Sequence, residues 1–306
     1  MPNTLVSGGT GYVGRFIVDA LIARGHEVTV LSRHEPRADL FIAPVRFMTG
    51  ELDPGRDQSH AFQGMDLFVH AAFDHLPGLY RGGEGDDPAS FRTRNVDGSK
   101  ALFDAAREAG VHRAIFLSSR AVYGTQPPGA RVSEDTRPHP DTLYGEAKHA
   151  VERHLREIGS IEAFAGTSLR VTGVYGPAGR GKPDDKWTPI IRDWLDGRPV
   201  EPRAGSEVHG ADVAAAVLAI LDAPAAAVAG QVFNVSDVMV DRTDILAIVQ
   251  QATGHSAPLP QPADTSRINV METDRIEALG WRPGGVKRLR DTVLDLVDKL
   301  EPARSR

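Results

Sequence analysis

Short β-branched runs alternate with stretches of helical periodicity through the first 170 residues. Thr4–Val6, Val28–Leu31, Val45–Met48, Leu67–His70, Ala114–Leu117 and Ser168–Arg170 read as strands. Between the first two, Tyr12–Arg24 sets Val13, Phe16, Ile17, Ala20 and Leu21 at helical spacing and stops at Gly25. Phe91–Ala109 and Tyr144–Ile158 read as helices ended by Gly110 and Gly159. Strands alternating with helices in this way predict a doubly wound parallel sheet, a Rossmann-type α/β fold.

After Arg170 the pattern loosens. Gly173–Pro189 has the Gly, Pro and charge content of a loop or lid, and Asp74–Ser90 reads as a loop at the carboxyl edge of the sheet. Ala211–Leu221 is predicted as a helix and Val232–Val235 as a strand returning to the main sheet. Ile245–Ala252 and Val286–Leu300 are late helices of a smaller, mostly helical C-terminal part. The division expected is a dinucleotide-binding domain of residues 1–172 plus about 208–236, and a substrate-binding domain of about 173–207 plus 237–306.

Composition removes several classes of function. The 306 residues carry a net charge of −6 with no basic stripe, which argues against a nucleic-acid partner. There is no cysteine, hence no disulfide, thiolate catalyst or cysteine metal site. His70 with His75 and His149 with His154 lack ligand spacing, so no metal is predicted. The most lipid-like stretch, Ala214–Gly230, is broken by Asp222 and Pro224. With a strand-like run starting at Thr4, a soluble cytoplasmic protein without a leader or membrane span is expected.

The first strand runs into Ser7-Gly8-Gly9-Thr10-Gly11-Tyr12-Val13-Gly14. Gly8, Gly11 and Gly14 suit a tight turn, a close approach of backbone to a pyrophosphate, and a helix packed onto the strand with its N-terminus toward the anion. Strand, loop and helix in that order predict a dinucleotide held by Gly8, Gly11, Tyr12, Val13 and Gly14. An NAD site usually ends the second strand with an acid, but here Ser32 stands there, followed by Arg33, with Arg37 nearby. A guanidinium grips phosphate through paired hydrogen bonds, which favours NADP, with NAD as the alternative.

Tyr144 and Lys148 are four apart at the start of a helix and share a face. A free phenol, with a pKa near 10, is a poor base at neutral pH. A neighbouring ammonium and an oxidised nicotinamide lower that value and make Tyr144 usable as a general acid/base. Ser119, at the end of the Ala114–Leu117 strand, is placed to hydrogen-bond the reacting oxygen.

With these residues assembled, the chain resembles the extended short-chain dehydrogenase/reductase family, which includes the NAD-dependent epimerases and dehydratases. Further landmarks are Val69-His70-Ala71-Ala72, Asn95-Val96-Asp97-Gly98, Ser118–Gly124, Val174–Pro177, Val208–Val213, Phe233–Val235 and Leu279-Gly280-Trp281. The resemblance implies that Ala71 and Ala72 join the cofactor site, that Tyr144 is the acid/base, that Lys148 holds the ribose and tunes Tyr144, and that Ser119 orients the substrate. It puts Asn95 near the asparagine of a proton relay, although a helix-capping role fits that residue equally well. It also implies a homodimer built on the 91–109 and 144–158 helices. His70 reads as packing beneath the cofactor; Asp74, His75, Arg120 and His209 are candidates to line the pocket of a small-molecule substrate.

Three departures bear on activity. Arg120 and Ala121 stand where sugar-nucleotide dehydratases carry Asp-Glu, which argues against a dehydratase of that kind. Gly173 replaces an asparagine, and Gly205 a phosphate-binding arginine, common in sugar-nucleotide enzymes, with Arg203 close enough to substitute. The leading expectation is an NADP-preferring reductase or dehydrogenase of a small carbonyl or hydroxyl compound. The alternatives are a sugar or nucleotide-sugar epimerase that retains NAD, and a non-catalytic NAD(P)-sensing binding protein.

Overall fold

The structure is a computed structural model, and it describes residues 1–76, 83–161, 163–179 and 185–304. The strands are β1 (Asn3–Ser7), β2 (Glu27–Ser32), β3 (Arg46–Thr49), β4 (Leu67–His70), β5 (Arg113–Ser119), β6 (Arg131–Val132), β7 (Ser160–Ile161), β8 (Phe164–Val171), β9 (Gly173–Tyr175), β10 (Ala204–His209), β11 (Val232–Val235), β12 (Val238–Asp241) and β13 (Val270–Met271). The main sheet runs β11-β8-β5-β4-β1-β2-β3, all parallel, with β7 antiparallel on β8. Ser7 lies in register with Leu31 of β2 on one side and His70 of β4 on the other. The strand order reverses between β1 and β4, and at such a switch point the carboxyl ends of the strands open a crevice.

The helices are α1 (Gly14–Ala23), α2 (Pro88–Arg92), α3 (Ser99–Glu108), α4 (Leu143–Ile158), α5 (Thr188–Leu195), α6 (Gly210–Asp222), α7 (Ala225–Val228), α8 (Arg242–Thr253), α9 (Asp274–Ala278) and α10 (Gly285–Arg304). Period-two alternation along β1 sends Leu5 to one face and Val6 to the other, and both are fully buried. On the Val6 side, Ile17 and Leu21 of α1 meet Val213 and Val217 of α6. On the Leu5 side, Phe103 of α3 and Val151 and Leu155 of α4 pack with Phe68 and Phe116. α4 forms where Thr142 Oγ1 accepts from the Gly145 N–H at 3.1 Å, and the Ala147–Val151–Leu155 row fills its inner face.

Three features differ from the sequence expectation. The predicted Phe91–Ala109 helix is α2 and α3 joined by a π-helical turn, Thr93–Gly98. A Cβ on Gly98 would stand 2.8 Å from the Leu52 carbonyl carbon, so the widened turn lies directly on the loop after β3. Apolar spacing does not reveal such a turn, because one added residue leaves the pattern on either side intact. The C-terminal part is helical but also holds a small sheet, β12-β10-β9, antiparallel between β10 and β12 and parallel between β10 and β9. β9 lies inside the predicted Gly173–Pro189 loop; three residues are too few to show a period. A two-stranded pair, β6 with β13, was also unforeseen. Trp187 and Trp194 near and on α5, Leu246 of α8 and Val293 of α10 form a third core around Tyr175.

The predicted 74–90 loop ends in α2, and Gly78 and Gly82 lie outside the described residues. No described helix is long and apolar enough to cross a membrane.

Candidate active site

The glycine loop is packed to the limit of what a backbone allows. Gly8 has φ +70°, and a Cβ there would stand 2.5 Å from the Ala72 nitrogen. A Cβ on Gly14 would lie 2.1 Å from the Gly8 carbonyl oxygen. The Gly11 N–H donates to that same oxygen at 2.9 Å. α1 begins with no side-chain cap and no acid in its first turn, leaving its positive end open to an anion. These features fit a dinucleotide, whose pyrophosphate the backbone from Gly8 to Gly14 would hold beside Ala71 and Ala72. Only the backbone of Tyr12 serves the loop, because its hydroxyl donates to the Gly176 carbonyl at 2.8 Å. Arg15 donates likewise to the Pro177 carbonyl, so α1 is tied to the turn after β9.

Two serines and an imidazole continue inward from the loop. His70 is fully buried, hydrogen-bonded to Ser7 Oγ at 2.5 Å and Ser99 Oγ at 2.9 Å, and stacked on Phe116. Burial, with a smaller push from Lys148, lowers its pKa to about 3, so the ring is neutral.

At the end of β2, Ser32 Oγ donates to the His34 carbonyl at 2.7 Å. Arg37 pairs with Asp39. Arg33 reaches Asp74 at 3.7 Å, and Arg94 reaches the other oxygen of the same carboxylate at 2.5 Å. Asn95, 1% exposed, accepts from the Asp74 N–H and donates to the Asp74 carbonyl, both at 2.7 Å. Its side chain therefore fixes the loop after β4 and does not cap a helix. His75 is exposed, beside the Phe73 ring.

The Tyr144–Lys148 pair faces the end of β5. Lys148 is 4% exposed, and its Nζ donates to the Leu117 carbonyl at 2.7 Å. Its ammonium lies 4.4 Å from the Phe73 ring centre, 4.7 Å from that of Phe116 and 5.8 Å from that of Tyr144. Burial lowers the Lys148 pKa to about 7 against the opposing pull of Glu152. Tyr144 is half-buried, edge-on to Phe73 at 4.9 Å. Ser119 closes β5, and its Oγ accepts from the Ala121 N–H at 3.1 Å.

Sequence reasoning missed the polar group beneath this pair. Glu152, one turn beyond Lys148, is buried, accepts from Ser118 Oγ at 2.5 Å and is gripped by Arg170 at 2.7 and 3.0 Å. An acid four residues after a lysine on an otherwise apolar helix face was the available signal. Phe73 was missed too, and its place over Lys148 has no local signature.

The remaining candidates lie elsewhere. Arg120 donates to the Asn269 carbonyl at 3.2 Å, toward the β6–β13 pair. His209 caps α6 by accepting from the Ala211 N–H, and packs between Phe16 and Tyr175. Burial, then Arg288 and Arg15, lower its pKa to about 4. A separate cleft of about 160 Å³ opens on the small sheet, bordered by Lys186, Trp187, Arg203, Gly205, Glu207 and Arg242. Lys186 pairs with Glu207 there, while burial raises the Glu207 pKa. Among the described residues no cluster of three His, Asp or Glu side chains fits a metal, and His154 pairs with Asp104.

A family model described as the NAD dependent epimerase/dehydratase family matches residues 4–236. The chain belongs to this family. A UDP-glucose 4-epimerase of Corynebacterium glutamicum, a relative in this epimerase/dehydratase family, is 25% identical over 302 residues, covering 91% of this chain and 90% of its own. The structure of a UDP-glucose 4-epimerase of Thermus thermophilus in complex with NAD superposes with a TM-score of 0.74 at 27% identity, over 97% of this chain and 98% of that one. That of a UDP-glucose 4-epimerase of Thermotoga maritima with UDP-glucose gives 0.78 at 23% identity, over 98% and 99%, a likeness of fold alone. This chain is thus an enzyme of the NAD-dependent, extended short-chain dehydrogenase/reductase type, with the Rossmann architecture expected.

Proposed function

We propose that this chain is an NAD-dependent epimerase of a nucleotide-activated sugar, inverting a hydroxyl-bearing carbon by oxidising it and then reducing it from the opposite face. Residues 1–172 with about 208–236 would hold the dinucleotide, and the rest the substrate. The observation that carries this reading is the cleft on the small sheet, bordered by Arg203 and Arg242 and by Lys186, whose charge is paired with Glu207. A diphosphate needs cations around it, and Arg203 supplies one beside Gly205, where the sequence departs from sugar-nucleotide enzymes. The curated relative that matches over 90% of its own length acts as a UDP-glucose 4-epimerase, which favours epimerisation over the net reduction first expected.

In this scheme Tyr144 takes the proton of the substrate hydroxyl as the carbon is oxidised and returns it on reduction. Lys148, cationic beside the phenol, favours the phenolate, and Ser119 hydrogen-bonds the same oxygen. When bound, the nicotinamide supplies a reversible hydride acceptor. Phe73 and Phe116 exclude water from the ammonium, which strengthens its effect on Tyr144.

Incubation with UDP-glucose, followed by NMR of the sugar, tests the proposal. The expected result is the 4-epimer with no net change in reduced nicotinamide. Ser32 and Arg33 at the end of β2 favour a second reading, an NADP-linked reductase. Stoichiometric NADPH consumption with a carbonyl substrate, and no epimer from any nucleotide sugar, would replace the first reading by the second.

A further inference from the structure

We infer that Asp74 decides which dinucleotide this chain accepts, its carboxylate doing the work of the acid absent from the end of β2 and rejecting a 2′-phosphate. The inference rests on the reading of the glycine loop as a dinucleotide site and goes beyond it to cofactor selection. Ser32 spends its one donor on the His34 carbonyl and carries no charge, so it does not supply the anionic acceptor that an acid would. Arg33, the residue that would grip a 2′-phosphate, is already turned to Asp74.

The register explains how the two meet. β1 lies between β2 and β4, so Arg33 and Asp74 stand on opposite sides of the glycine loop, and their ion pair crosses its mouth. An exposed ion pair of this kind contributes little by itself. Two observations set it apart. Arg94 holds the second oxygen of the same carboxylate. Asn95, buried under the loop, uses its amide on both backbone groups of Asp74, so the residue is held in place whatever its side chain does.

Two guanidiniums and one carboxylate leave a single positive charge at the loop mouth. A 2′-phosphate on Arg33 would set about two negative charges against that single positive one and stand beside the Asp74 carboxylate, whereas an unphosphorylated ribose offers hydroxyl donors that a carboxylate accepts. Like charges brought together in this way cost binding, and removing one restores it.

The test compares wild type with Asp74→Asn, and with Asp74→Ser as a second variant, since the Asn95 bonds to backbone preserve the loop in each. Melting-temperature shifts on titration with NAD and NADP give both affinities, and acid release with mass spectrometry identifies the nucleotide carried through purification. Wild type is expected to carry and prefer NAD. Both variants should swing toward NADP by about tenfold while NAD affinity holds within about threefold. Adding Arg33→Ala to Asp74→Asn should erase the gain. A wild type that prefers NADP, or variants whose NAD/NADP ratio is unmoved, would overturn the inference alone. A wild type that binds neither nucleotide would overturn the dinucleotide reading, and this inference with it.

Discussion

Replacing Lys148 by methionine should abolish activity and yet make the nucleotide-free protein more stable. The ordinary lysine pKa is 10.5, and in the folded chain burial brings it to about 7. At about 1.4 kcal/mol per tenfold change in proton affinity, the difference weighs about 5 kcal/mol against folding when the unfolded chain is fully protonated. A lysine whose folded pKa lies below its unfolded one destabilises fully below pH 7. The penalty shrinks as pH climbs from 7 toward 10.5 and is absent above that range. Methionine keeps the unbranched stem between Phe73 and Phe116 and loses the amine's bond to the Leu117 carbonyl, worth about 1 kcal/mol. A net gain of about 4 kcal/mol is therefore expected at pH 6, falling to about 1 kcal/mol by pH 9. Urea unfolding of both proteins at the two pH values measures it. A variant less stable than wild type at pH 6, or a difference that does not change with pH, would refute the account of Lys148 as a desolvated cation retained for chemistry.

Three further outcomes are expected. Tyr144→Phe should lower kcat by about 10²–10⁴ while nucleotide binding, read by melting temperature, is unchanged; full turnover would remove Tyr144 from its proposed role. Gly8→Ala meets both a positive φ and the Ala72 backbone, so nucleotide-induced stabilisation should vanish, and unfolding in urea should show a loss of about 1–3 kcal/mol. Glu152→Gln leaves Arg170 buried against a neutral partner and should cost about 3–5 kcal/mol of stability. Because Glu152 also supports the charge on Lys148, the midpoint of the basic limb of the kcat pH profile should fall in that variant, a change that mere loosening of the core would not produce.

The inner strands of the main sheet were legible because they are compact apolar runs buried on both faces; β4 and β11 have the expected bounds and β1 gains one residue at each end. The small sheet was not. β10 reads Ala-Gly-Ser-Glu-Val-His, a run with no apolar alternation, and it becomes a strand only because β9 and β12 lie beside it. Its pairing places Glu207 against Gly173 and opens the cationic cleft, so the substrate side of the molecule was as unreadable as the sheet that builds it. Asn95 illustrates the same limit. Its residue type allowed a cap or a relay, and only the position of the loop after β4 makes it a clamp on Asp74.

From its order of residues alone this chain determines a doubly wound sheet, a glycine turn at the end of β1 and a Tyr–Lys pair on one face of α4, because periodicity and fixed helical spacing are local and survive in one dimension. Only the tertiary structure decided that Lys148 is sealed between two phenylalanines, that Glu152 and Arg170 lie buried beneath it, and that Arg33 is already engaged by Asp74. Burial and charge pairing depend on what the folded chain brings alongside a residue, and those neighbours come from segments 18 to 75 positions away.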